Sequence, residues 1–223
     1  MSIDTTLLLM SVAAYLIGSL SFAVIVSRFM GLDDPRTYGS QNPGATNVLR
    51  SGNKAAAALT LLFDALKGYF PVLLTKWYGP AWGLDDQAVA LVAFAAFVGH
   101  VWPVFFRFQG GKGVATAAGV LFGVEPLLGL ATLLTWLTVA FVFRYSSLAA
   151  LSASLLSPAI YLWCGQVGDQ VLWQTSGPEF LAVTAMSALL LLRHKDNIMR
   201  LVAGQESKIG AKKETPPAEG GAA

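Results

Sequence analysis

Apolar residues fall into seven runs separated by short polar breaks: 4–27, 55–76, 88–106, 114–124, 127–143, 148–165 and 179–192. A helix needs about 20 mostly apolar residues to cross a bilayer. The first run has that length. It is too long for a signal-peptide core and lacks a basic flank ahead of it, so it reads as a retained span. Isolated strands would leave backbone groups unpaired in lipid, so the element predicted for every run is helix.

Composition agrees with the pattern. Hydrophobic residues make up 55% of the 223 and charged residues 13%, with a mean hydropathy of +0.58. Soluble domains carry about 25% charged residues. A soluble globule and a disordered chain are therefore excluded. A net charge of +2 is too small for a polyanion footprint, which excludes a nucleic-acid binder. Cys164 stands alone, so the chain has no intrachain disulfide framework and no cysteine-rich metal site. The fold class expected is all-α: a polytopic membrane bundle of seven transmembrane helices over residues 1–206, followed by a disordered tail over 207–223 whose Lys, Glu, Pro, Gly and Ala are too polar to pack.

The basic residues orient the bundle. If the loop after the first span is cytoplasmic, 13 of the 15 Lys and Arg face inward; only Lys76 falls outside, and Lys67 lies within a span. The N-terminus is then outside and the C-terminus cytoplasmic. The fourth run strains this scheme, because 11 residues make only about 16 Å of helix. A re-entrant reading would reverse the parity of everything after it and put the basic tail outside. The run must therefore cross, with residues 107–113 dipping into a protein-lined cavity where irregular backbone is shielded from lipid. Gly119 and Gly123 form one GxxxG on this helix, read as a packing motif.

Polar chemistry gathers in the cytoplasmic loops. The first reads Gly39-Ser40-Gln41-Asn42-Pro43-Gly44-Ala45-Thr46-Asn47-Val48-Leu49-Arg50, the second Gly110-Gly111-Lys112-Gly113-Val114-Ala115-Thr116. Ser146 and Ser147 follow Arg144, and His194, Lys195, Asp196, Asn197 and Arg200 follow the last run, with Glu206 beyond. Glycines that lead into a helix N-terminus offer free N–H groups and the positive end of a dipole, which suits an anion. Gly110, Gly111 and Gly113 would let the backbone curl around a phosphate, with Lys112 adding charge and Thr116 a hydroxyl. The bland alternative is a flexible turn with a topogenic lysine. It is not a Walker A loop, since Phe106 and Gly113 stand where Gly and Ser or Thr are required. In the first loop, Ser40, Asn42, Thr46 and Asn47 surround Gly44, and Arg50 offers a guanidinium fork. The alternative there is a capped turn with Thr46 or Asn47 as N-cap of the second span.

Asp64 and Lys67 share a helix face, as a structural ion pair or a site lining. His100 reads as a hydrogen-bonded structural histidine. His194 either orients a phosphate or hydroxyl or caps helix-end carbonyls. No H-E-x-x-H, paired-cysteine site, G-x-S-x-G elbow or His-x4-Asp is present, and no metal or other cofactor is implied.

These motifs resemble the bacterial membrane-embedded glycerol-3-phosphate acyltransferases of the PlsY type, which use acyl-phosphate. The resemblance runs from Gly18 to Glu206. It is carried by GSQNPGATNVLR at 39–50, D-x-x-K-G at 64–68, GGKGVAT after His100, RYSSL at 144–148 and H-x-x-N-I-x-R-L-x-x-G-x-E at 194–206. It implies a multi-pass protein of the bacterial cytoplasmic (inner) membrane, with the active site facing the cytoplasm. The implied partners are acyl-phosphate, glycerol 3-phosphate and the lipid bilayer, and the implied state is a monomer. The reaction implied is acyl transfer to the sn-1 hydroxyl, releasing lysophosphatidic acid and inorganic phosphate. The catalytic residues expected are Ser40, Arg50, Lys112 and His194. The substrate-binding residues expected are Asn42, Gly44, Thr46, Asn47, Lys67, Gly110, Gly111, Gly113, Thr116, Ser147 and Asn197. Glu206 is expected to fasten the tail helix. Two mechanisms stay open: direct transfer, or an acyl-enzyme on Ser40. The rival class is a transporter of a phosphorylated solute, which the absence of visibly matched broken helices disfavours.

Overall fold

The computed structural model describes residues 5–167 and 170–209. Each predicted run carries helix. The helices are α1 (Thr5–Gly18), α2 (Phe22–Phe29), α3 (Ala45–Val48), α4 (Lys54–Tyr78), α5 (Asp86–Val101), α6 (Val114–Val124), α7 (Pro126–Phe143), α8 (Ser146–Trp163), α9 (Gly177–Arg193) and α10 (Lys195–Val202). Among the described residues, the one strand pairing is a two-residue antiparallel pair, Gln166–Val167 with Gln170–Val171. By length and composition, four helical stretches are long and apolar enough to span a membrane: Lys54–Trp82, Asp86–Phe106, Pro126–Phe143 and Ser146–Trp163. The bent pair α1 and α2 makes a fifth if counted as one span. α6 has 11 residues and α9 has 17.

Local chemistry sets the ends. Asn53 caps α4 by accepting from the Ala56 N–H at 3.0 Å, Asp85 caps α5 through Gln87, and Ser176 caps α9 through Glu179. Asn53 therefore takes the capping role that the sequence offered to Thr46 or Asn47. Proline opens α7 in its first turn, where no N–H is needed.

α4 and α6 cross closely because their contact faces are small. A side chain at Gly119 would run into the Ala65 carbonyl, one at Gly68 into the Thr116 carbonyl, and one at Gly123 into Val72. The GxxxG is thus a packing face, as expected. The contacts advance together along both helices, so α4 and α6 run parallel, and Lys76 near the end of α4 donates to the Val124 carbonyl at the end of α6. A lysine at a helix C-terminus complements the dipole. Thr116 meets Gly68, which lies about 20 Å along α4 from Lys54. The glycine-rich loop before α6 is therefore sunk well below the end of α4.

The first span is broken, which its apolar pattern did not reveal. α1 and α2 meet at 45° across Ser19–Ser21. The break frees the Leu20 carbonyl, and Lys67 Nζ donates to it at 2.6 Å while pairing with Asp64 at 2.7 Å. Both side chains are almost fully buried. Lys67, expected as a substrate contact, is instead consumed inside the bundle by a carboxylate and a carbonyl. Of the tail expected from Ser207 onward, Ser207 to Ile209 are held: Ser207 accepts from Arg50, and Ile209 exchanges hydrogen bonds with Arg144. Residues 210–223 lie outside the described residues.

Candidate functional site

Four polar segments, far apart in the chain, meet at one end of the bundle. Glu206 is their hub. Its Oε1 accepts from Ser147 Oγ at 2.7 Å and Asn197 Nδ2 at 2.6 Å, and its Oε2 accepts from Arg200 Nε at 2.7 Å. Burial would raise its carboxyl, but these three hydrogen bonds outweigh it and hold the group below the usual range. Asn197 Oδ1 in turn accepts from Lys112 Nζ. The next residue along, Ser207, ties in Arg50 at 2.9 Å. Lys112, Ser147, Asn197 and Arg50 are therefore brought together, as the sequence expected of four candidates. Burial, with Arg200 nearby, pushes the Lys112 ammonium down to about 8.

His194 lies one turn ahead of Asn197 and is buried. Its Nδ1 sits 2.8 Å from the Leu190 carbonyl. A carbonyl only accepts, so Nδ1 carries the proton and Nε2 keeps its lone pair. Burial pushes this histidine down to about 4, which keeps it neutral near pH 7.

The glycine-rich loop is held from two sides. Gly111 N–H donates to the His100 carbonyl at 3.2 Å, and Arg193 donates to the Gly110 and Gly111 carbonyls at 3.1 and 3.3 Å. Among the described residues, the N–H groups of Gly110, Lys112 and Gly113 have no partner. They adjoin the first turn of α6, whose N–H groups are also free of helical bonds. Gly113 has φ of 86°, and a side chain there would strike the Phe97 ring. Thr116 departs from expectation. It is fully buried, its Oγ1 lies 3.0 Å from His100 Nδ1, and it supports the loop from beneath.

The first loop folds over the same end. Gly44 precedes α3, and the Pro43 carbonyl lies beside Gly111. Asn47 is buried and spent within the loop: Oδ1 accepts from Ser40 N–H at 3.0 Å, and Nδ2 donates to the Pro35 and Tyr38 carbonyls. It too was expected as a ligand contact. Gly39 sits against Asn47 and the Arg50 side chain, which places Ser40 beside Arg50. Ser40 and Thr46 are exposed, and Asn42 lies partly buried next to Gly44. Among the described residues, Ser40 Oγ makes no hydrogen bond to a histidine or carboxylate.

A cleft of about 370 Å³ opens beside the loop, lined by Arg36, Gln41, Pro43, Phe108, Gln109, Gly110 and Arg193. The sequence reading missed Arg36 and Arg193. Their only signal was two further cationic residues in the same two loops. Among the described residues, no group of three His, Cys, Asp or Glu could hold a metal ion.

An apolar helical bundle with a polar, cation-rich end around a sunken glycine loop defines a membrane-type protein. The model of the glycerol-3-phosphate acyltransferase family matches residues 8–204, and the chain belongs to that family, in its PlsY type. A glycerol-3-phosphate acyltransferase of Burkholderia cenocepacia is 62% identical over 218 residues, covering 97% of this chain and 96% of its own. One of Albidiferax ferrireducens is 58% identical over 201 residues, covering 90% and 88%. Among solved structures, PlsY (YgiH), an integral membrane glycerol 3-phosphate acyltransferase, matches in its glycerol 3-phosphate form with a TM-score of 0.82 and 35% identity, over 92% of this chain and 96% of that one. Its lysophosphatidic acid form matches with a TM-score of 0.80 and 34% identity, over 91% and 95%.

Proposed function

We propose that this protein transfers a fatty acyl chain from acyl-phosphate to the sn-1 hydroxyl of glycerol 3-phosphate, as a step of phospholipid synthesis. The observation that carries this is the meeting of Arg50, Lys112, Ser147, His194 and Asn197 beside free loop amides at one end of an apolar bundle. The hydroxyl oxygen attacks the acyl carbon, the bond from that carbon to the phosphate oxygen breaks, and inorganic phosphate leaves. Phosphate is a good leaving group, so the protein supplies chiefly position and charge. Ser40, Asn42 and the free N–H groups of the glycine loop hold the donor head, and Lys112 and Arg50 neutralise phosphate charge. Ser147, Asn197 and His194 hold glycerol 3-phosphate. His194 Nε2, neutral and weakly basic, accepts a hydrogen bond from a substrate hydroxyl. The stronger base is the phosphate of glycerol 3-phosphate, which takes the proton. Lys67, Thr116 and Asn47 act from behind, by fixing the broken span and the two loops.

Direct transfer is favoured over an acyl-enzyme because Ser40 lacks a hydrogen-bonded base, the usual means of activating a serine. We further infer seven crossings of the bacterial inner membrane, N-terminus outside and C-terminus cytoplasmic. The basic residues flanking the polar end and Lys76 at the opposite end of α4 support it. The test is purified protein with palmitoyl phosphate and glycerol 3-phosphate, assayed for phosphate release and lysophosphatidic acid. Parallel arms use acyl-CoA and acyl-carrier protein. Turnover in only the first arm is expected; turnover with a thioester instead would overturn the donor assignment.

A further inference from the structure

We infer that α10 is a membrane-surface helix: its outward face sinks into the acyl region of the cytoplasmic leaflet, and anionic phospholipid headgroups dock beside it on Lys195, Arg144 and Lys208. The helix is amphipathic with its polar side turned to the protein. Asn197 and Arg200, three apart, face inward and donate to Glu206. Asp196 lies one turn ahead of Arg200, on that same side. Ile198 and Val202, four apart, face outward, flanked by Met199 and the stem of Lys195. Val202 is 86% exposed and Met199 61%. A face of this kind is unfavourable in water and favourable in the upper acyl layer of a bilayer.

The apolar surface continues onto a neighbouring helix end. Ile209, just beyond α10, exchanges hydrogen bonds with Arg144, so it adjoins the end of α7, where Phe141, Val142 and Phe143 are exposed. Lys208 stands over the Tyr145 ring at 5.7 Å. Lys195, Arg144 and Lys208 are all exposed, and among the described residues none makes an ion pair. Cations above an apolar ledge match the order of charges in an anionic lipid, whose headgroup sits above its acyl chains. A second copy of the chain is a poorer occupant, because a symmetric contact would set the same cations against each other. The seat also reaches the site. Asn197 lies on the opposite side of the helix from Val202, so lipid that fixes α10 fixes Asn197 and the Glu206 hub as well. This last part, the coupling to glycerol 3-phosphate, rests on the reaction proposed above.

The test uses the full chain in lipid nanodiscs. Val202→Cys, in a Cys164→Ser background, carries an environment-sensitive fluorophore. Phosphatidylcholine brominated near the top of its acyl chains should quench the probe several-fold more than aqueous iodide does. Quenching by iodide alone would put the face in water, and quenching by neither would put it against protein; either result overturns the seat. Headgroup docking is read from binding of phosphatidylglycerol against phosphatidylcholine. Lys195→Gln, Arg144→Gln and Lys208→Gln should each weaken phosphatidylglycerol binding about fivefold at low salt, the worth of one cation near an anionic surface, and leave phosphatidylcholine unaffected. Equal binding of the two lipids by the unaltered protein would overturn the docking. For the coupling, Met199→Gln with Val202→Asn unseats the helix without adding charge or touching Asn197. It should raise KM for glycerol 3-phosphate about fivefold, the scale of one hydrogen bond, and leave KM for palmitoyl phosphate in place. An unchanged KM for glycerol 3-phosphate would overturn the coupling alone. Absence of turnover in the unaltered protein would overturn the reaction and the coupling together, while quenching and lipid binding decide the seat independently of it.

Discussion

In the proposed reaction, Lys112 is the residue on which charge stabilisation converges. It is the cation of the sunken loop, and its ammonium is held down to about 8. Lys112→Ala should lower kcat/KM by more than about 100-fold, the scale of removing one electrostatic contact to the transition state. A near-normal rate in the same phosphate-release assay would remove it from the mechanism. Its depressed affinity for a proton also fixes a pH dependence. Lys112 is charged below pH 8 and loses that charge above it, so kcat/KM should fall with rising pH through about 8. Lys112→Arg, charged at all accessible pH, should move that limb upward. His194 should add no limb between pH 6 and 8, because it is already neutral there. That these two groups lie at the polar end was legible in the sequence, since Gly-Gly-Lys-Gly before a helix and a histidine after one are local signals. The fates of Thr116 and Asn47 were not. Nothing local says that Thr116 Oγ1 turns inward to His100, or that Asn47 spends its amide on Pro35 and Tyr38.

At the scale of elements, the crossing of α4 and α6 and the plugged break between α1 and α2 decide whether the site exists at all. Gly119→Val would push a branched side chain into the Ala65 carbonyl, and overpacking of this kind costs about 1–3 kcal/mol. The purified variant should unfold at lower temperature in detergent, with activity falling in parallel. Lys67→Met would strand Asp64 and the Leu20 carbonyl, and breaking a buried pair costs about 3–5 kcal/mol. The double variant Asp64→Asn with Lys67→Met should recover part of the lost thermal stability. A double variant no better than the single would show that the pair is not what holds this region. The helices themselves were readable from apolar runs. The 45° break was not, because Gly18, Ser19 and Ser21 are small and uncharged and leave the apolar run unbroken, and the lysine that relieves the break lies in another helix.

For the whole molecule, the orientation is tested by cysteine labelling from one side of the membrane. Cys164 is the single cysteine, it is exposed, and it ends α8 on the face expected outside. A membrane-impermeant maleimide should label it in spheroplasts without lysis. A cysteine added after Ile209 should label only once the membrane is opened. The reverse pattern would invert the topology and place the cationic end outside. Charge counting along the chain is what predicts this arrangement, because the translocation bias acts on sequence position and not on packing.

The polar end is bonded within itself: Lys112 turns to Asn197, Arg200 and Ser147 to Glu206, and Arg50 to Ser207. In the proposed reaction, arriving phosphates displace partners already in place, trading one set of bonds for another. Affinity will be modest for so many contacts, and the surplus appears only where the incoming charge is better matched than the amide or hydroxyl it evicts. An enzyme arranged in this way releases its products for the same reason that it binds its substrates gently.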